Sequence, residues 1–157
     1  MICITFILAV PHCLGARTHD NLPNCMAVVA VADSEVRRYA ENCMILCIDD
    51  EATGLLVRKI LLQSQGYEVL TAESGREGLE LFRANPVEAV VLDYAMPGMD
   101  GGQVAEELKR LKPTIKILLL SAYVDLPEKA LRWVDKRAVK GVSPTAFLAE
   151  LKDLLSC

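Results

Sequence analysis

From Met44 onward the apolar residues fall in short unbroken runs, and each run ends at a polar side chain. Met44–Ile48 has the form of a strand buried on both faces. It is followed by Asp49-Asp50. Ala52 to Gln65 carries Leu55, Leu56, Ile60 and Leu61 at helical spacing, and Gly66 supplies the stop. Tyr67 to Leu70 reads as the second strand. Ser74-Gly75-Arg76-Glu77 is a capping-box signature for a helix through Leu79, Leu81 and Phe82 that stops before Pro86. Val87–Leu92 is the third strand, ending at Asp93. Gln103–Leu111 is a helix with Val104, Leu108 and Leu111 on one face. Ile115–Leu120 is the fourth strand, ending at Ser121. Asp125 as N-cap with Pro127 predicts another helix. Arg137–Val139 is a short fifth strand before Lys140. Ser143-Pro144 opens the last helix, with Phe147, Leu148, Leu151, Leu154 and Leu155 facing inward.

Strand and helix thus alternate five times, which calls for a parallel sheet with helices on both faces. In open α/β sheets of this kind, ligands bind outside the carboxyl ends of the strands. Asp49, Asp50, Asp93, Ser121 and Lys140 are all predicted at those ends.

Residues 1–43 show no sustained period and are punctuated by Pro11, Gly15, Asn21, Pro23 and Asn24. We read 1–43 as a poorly patterned N-terminal extension and 44–157 as the domain. The apolar run Ile2–Val10 lacks the basic segment of a secretory signal. It is also shorter than the ~20 residues that span a bilayer. It reads as an extension upstream of the natural start, for which Met26 and Met44 are both candidates. An export signal is the minority reading.

Composition narrows the function. Of 157 residues, 52% are hydrophobic, enough for a core, and the formal charge is -4. Without a clustered basic surface, direct nucleic-acid binding is not expected. The six cysteines form no CxxC pair and no zinc-ligand spacing, so reduced structural thiols are expected.

The strand-end residues carry the chemistry. A single aspartate after a strand is usually a turn former or cap. Two adjacent aspartates repel each other unless a cation sits between them. With Asp93 from a neighbouring strand they form a hard-oxygen set of the kind Mg²⁺ prefers. Ser121 and Lys140 alone would be an ordinary hydroxyl and a solvated lysine. Beside Asp93 they supply a donor and a positive charge, which makes Asp93 a carboxylate nucleophile toward a phosphoryl group.

These residues resemble the receiver domains of bacterial two-component response regulators, over roughly Met44 to Leu155. The resemblance rests on Ile48-Asp49-Asp50-Glu51, on Asp93 with Met96-Pro97-Gly98-Met99-Asp100-Gly101, on Ser121-Ala122 and on Lys140. It implies a flavodoxin-like, doubly wound five-stranded parallel sheet. It implies that Asp93 accepts a phosphoryl group from a phosphohistidine on a sensor histidine kinase or phosphotransfer protein. Asp50, Asp93 and the backbone carbonyl of Ala95 would bind Mg²⁺ directly, with Asp49 acting through water. Ser121 and Lys140 would hold phosphoryl oxygens, and small Ala122 would leave room for them. Phosphorylation would draw Ser121 inward and remodel a surface for an unknown downstream protein, or for a phosphorylation-dependent homodimer. The resemblance further implies a cytoplasmic, stand-alone receiver without a membrane role. It would be no enzyme in the usual sense, although it promotes its own phosphotransfer and dephosphorylation. Apolar Ala95 and bulky Tyr123, two residues after Asp93 and Ser121, imply a slow reset.

Two positions depart from the family pattern. Gly141 stands where a proline usually follows the lysine, and Arg137 where an aromatic switch usually stands. Trp133 and Tyr123 are candidate replacements for that aromatic. These departures leave a second reading, a degenerate receiver acting as a phosphorylation-independent binding module. A flavin-phosphate binder would set phosphate against Asp49-Asp50-Glu51. An aspartyl phosphatase would typically need a second Asp where Ala95 stands.

Overall fold

The computed structural model describes residues 43–123 and 125–156. The extension and its predicted boundary therefore lie outside the described residues, apart from Cys43. Five strands, β1 (Met44–Ile48), β2 (Glu68–Ala72), β3 (Ala89–Asp93), β4 (Lys116–Ser121) and β5 (Lys136–Val139), form one sheet in the order β2-β1-β3-β4-β5. All four pairings are parallel. Five helices connect or follow them: α1 (Ala52–Ser64), α2 (Gly75–Ala84), α3 (Gly101–Leu111), α4 (Glu128–Leu131) and α5 (Pro144–Ser156). This is the parallel sheet with helices on both faces that the alternation predicts, in the doubly wound, flavodoxin-like order that the resemblance implies.

The strands read as apolar runs because both faces are covered. On one face Ile45, Cys47, Val91, Leu118 and Leu120 pack with Leu55 and Leu62 of α1 and with Phe147, Leu151 and Leu154 of α5. On the other, Leu46, Ile48, Val90, Leu92, Ile117 and Leu119 pack with Leu79 and Phe82 of α2 and Val104 and Leu108 of α3. Alternate side chains of one strand thus belong to different cores. Among the described residues, no helix is long and apolar enough to cross a membrane.

The ends of the elements show where local chemistry departs from the predicted pattern. Gly66 takes φ +92 and ends α1 as anticipated. Ser74 caps α2 by accepting from the Glu77 N–H at 3.3 Å, but the Glu77 carboxylate accepts from the Glu73 N–H, one residue earlier than the predicted box. A complete capping box forms instead at α3, between Asp100 and Gln103. The signature Asp-x-x-Gln was present in the sequence and starts the helix two residues earlier than the apolar spacing suggested. Leu111 is exposed rather than inward, because α3 ends there. Helix α4 has a single turn and is entered from Pro127, not from Asp125. On α1, Leu56 and Ile60 are exposed while Leu62 is buried. The spacing alone does not tell which apolar stripe of that helix faces the sheet.

Candidate functional site

The parallel register brings five polar residues to one edge of the sheet. Asp49 follows β1, and its N–H donates to the Ala72 carbonyl of β2 at 3.1 Å. Asp93 closes β3 opposite Leu120 of β4. Ser121 closes β4 opposite Val139 of β5. The next residue, Lys140, donates its N–H to the Ser121 carbonyl at 2.8 Å, which fixes the lysine beside β4. Asp49, Asp93 and Ser121 are buried, whereas Asp50 is exposed.

The loop after Asp93 is held by close packing of backbone on backbone. The Gly101 N–H donates to the Tyr94 carbonyl at 2.9 Å. A Cβ on Gly101 would stand 2.4 Å from the Asp93 carbonyl oxygen, so only glycine fits where α3 begins. The start of α3 therefore clamps the strand end that carries Asp93.

Charge dominates the site. Asp49, Asp50 and Asp93 each offer a carboxylate oxygen, and these atoms lie within 4.8 Å of one another. The Lys140 Nζ stands 2.9 Å from Asp93 Oδ1 and 3.2 Å from Asp49 Oδ2. Its contact with Asp93 is charge to charge, since neither buried Asp93 oxygen has a hydrogen-bond donor aligned on it. Burial raises the Asp93 carboxyl above its ordinary value, and the nearby Asp49 charge adds to this. Lys140 and the Ala95 backbone oppose the shift without cancelling it. Burial alone would lower the Lys140 ammonium, but the Asp93 and Asp49 carboxylates outweigh it and hold it above the usual lysine value.

Asp49 is better supplied with partners. Its Oδ1 accepts from the Glu51 N–H at 2.9 Å, and its Oδ2 receives the Arg58 guanidinium of α1 as well as Lys140. Sequence reasoning did not single out Arg58, because a lysine- and arginine-bearing helix position usually faces solvent. The signal, visible only in retrospect, is Gly54 one turn earlier. Ser121 accepts a hydrogen bond from the Tyr123 N–H at 2.9 Å and so is engaged with its own loop. Ala95 and Ala122 are exposed, and Tyr123 is 62% exposed.

The residues present fit a hard divalent cation. Three carboxylates converge on one cation contact to Asp93, the Lys140 ammonium at Oδ1, so negative charge remains for a divalent ion to neutralise.

Arg137 is exposed on β5, and Gly141 takes φ +88. A proline, fixed near φ -65°, could not adopt that turn. Trp133 is partly buried against the α2–α3 core, with the Arg132 guanidinium 5.2 Å from its ring centre. Cys43 and Cys47 are free, buried thiols.

Known proteins resemble this chain in sequence and in fold. The chain is 36% identical over 84 residues to the transcriptional regulatory protein GlrR of Escherichia coli (strain K12), covering 54% of this chain and 19% of GlrR. It is 35% identical over 114 residues to the probable transcriptional regulator ycf27 of Cyanophora paradoxa, covering 71% of this chain and 47% of that protein. It therefore spans from about a fifth to about half of these relatives. Among solved structures, the response regulator protein TrrA of Thermotoga maritima, in complex with Mg(2+)-BeF, is 36% identical with a TM-score of 0.66 and covers 71% of this chain and 98% of its own. A CheY-like receiver domain protein of Methanospirillum hungatei is 28% identical with a TM-score of 0.70, covering 73% and 94%. Residues 45–154 match the response regulator receiver domain as a family, and the chain belongs to that family.

Proposed function

We propose that this chain is a phosphorylation-controlled signalling receiver in which Asp93 accepts a phosphoryl group from the phosphohistidine of a sensor kinase or phosphotransfer protein. The single observation that carries the reading is the state of Asp93. Its carboxylate is buried without an aligned hydrogen bond, yet it lies 2.9 Å from Lys140 and beside two further carboxylates. Such a group is costly as structure and useful as a nucleophile.

In the proposed step, an Asp93 carboxylate oxygen attacks phosphorus as the phosphorus–nitrogen bond of the phosphohistidine breaks. The imidazole leaves with the electron pair and takes up a proton. Lys140 neutralises charge on the transferred oxygens, and Ser121 turns from the Tyr123 N–H to donate to one of them. Asp50, Asp93 and the Ala95 carbonyl are the proposed direct ligands of Mg²⁺. Asp49, whose oxygens already have partners, acts through water. When bound, Mg²⁺ would supply positive charge to the phosphoryl oxygens. The Mg(2+)-BeF complex of the similar TrrA supports this ligand class.

The test is phosphorylation with acetyl phosphate and Mg²⁺, read as the mass gain of one phosphoryl group. Wild type should gain it, and Asp93→Asn should lose it entirely, as should wild type in EDTA. The exposed Arg137 in place of an aromatic favours the second reading, a phosphorylation-independent binding module. That reading predicts no gain in any sample.

A further inference from the structure

The chain carries a cation of its own at the acidic cluster. Arg58 lies two turns into α1, where an arginine would ordinarily extend into solvent. Instead its guanidinium meets Asp49 Oδ2, and its side chain is only 16% exposed. The path back to Asp49 runs over Gly54. A Cβ on Gly54 would stand 3.0 Å from Arg58 Nη2 and 3.5 Å from Cζ. Glycine inside a helix costs up to ~1 kcal/mol relative to alanine. Here it leaves open the space through which the guanidinium passes. Lys140 reaches the same Asp49 oxygen at 3.2 Å. Three carboxylates therefore face two fixed cations before any metal ion arrives.

We propose that Arg58, seated over Gly54, is a built-in counter-cation that a divalent ion must outcompete at Asp49, so that this pair sets the metal affinity of the receiver. The proposal rests on the metal reading given above. Arg58 acts here through Asp49 and touches no reacting atom, so it is a positioning residue. Its guanidinium stabilises the metal-free cluster and repels the incoming cation.

The experiment is calorimetric titration of Mg²⁺ into the metal-free full-length protein and its variants. Arg58→Met keeps the length of the stem and removes the charge. Gly54→Ala keeps the charge and obstructs its seat. Arg58→Met should bind Mg²⁺ about three- to tenfold more tightly than wild type, the scale of removing one unit charge near a partly solvated divalent site, and Gly54→Ala should shift the same way by less. Arg58→Met should also gain more in melting temperature from Mg²⁺ than wild type does, because its metal-free cluster lacks a neutralising charge. Unchanged or weaker binding in Arg58→Met overturns the proposal. Tighter binding in Arg58→Met but not in Gly54→Ala overturns the part assigned to Gly54. If wild type itself binds no Mg²⁺, the metal reading falls and the proposal with it. Binding by wild type that is lost in Asp93→Asn, with Arg58→Met matching wild type, overturns the counter-cation alone.

Discussion

At the scale of single residues, Asp93, the proposed phosphoacceptor, is buried at a cost to the fold. Its folded-state carboxyl is raised, chiefly by burial, so the folded state prefers it protonated. The resulting penalty is absent below the unfolded value of about 3.9 and complete above the raised folded value. Asp93→Asn should therefore stabilise the metal-free protein at neutral pH, seen as a higher melting temperature. The gap between variant and wild type should close as pH falls through the folded value toward about 3.9, and Mg²⁺ should narrow it at neutral pH. Thermal melts in EDTA across pH measure this, and a variant less stable than wild type at pH 7 would contradict it. The residues proposed to bear the chemistry were legible because Asp49, Asp93 and Ser121 end apolar runs, and a parallel sheet puts such ends together. Arg58 was not legible. Its approach to Asp49 depends on how α1 lies across the sheet and on an open space at Gly54, and neither leaves a mark in local periodicity.

At the scale of elements, the sequence told most where an element was long and least where it was short. The strands could be read because two-sided burial demands continuous apolar runs. Helix α4 was legible in its existence but not in its bounds, since a single turn has no period to display and the chain enters it from Pro127, not from Asp125. The turn between β5 and α5 is the place where a small departure bears on the site. Gly141 takes φ +88 directly after Lys140, and no atom lies within 4 Å of where its Cβ would be. Substitution there carries a backbone cost without a steric clash. Gly141→Ala should lose about 1–2 kcal/mol in urea unfolding, the cost of a left-handed residue with a Cβ. The proposed phosphoryl acceptance at Asp93 should persist wherever the protein is folded. A loss of acceptance in folded Gly141→Ala would show that the turn also aims the Lys140 ammonium.

At the scale of the molecule, the sheet joins two cores, and Cys47 reports on both. It lies in β1 between β2 and β3, with neighbours Leu46 and Ile48 packed in one core and its own side chain in the other. Burial pushes its thiol up to about 12, with Arg58 opposing and Asp49 reinforcing the shift. Such a raised value costs the folded state nothing as long as the thiol is neutral. The penalty is absent below the ordinary value of 9.0 and grows as pH climbs from there toward about 12. The thiolate is the form that reacts, so at pH 8 Cys47 is protected twice, by its neutral form and by the helices packed over its face of the sheet. Exposing it requires lifting α1 and α5 from that core, which uncovers one whole face of the sheet. Alkylation of Cys47 should therefore proceed only through global opening, about 10³-fold or more slower than in the unfolded chain. Peptide mass spectrometry after iodoacetamide treatment reads this directly, and the Cys47 rate should climb with urea in step with the unfolding equilibrium. A rate insensitive to low urea would mean that β1 opens by a smaller excursion, and the two cores would then not unfold as one.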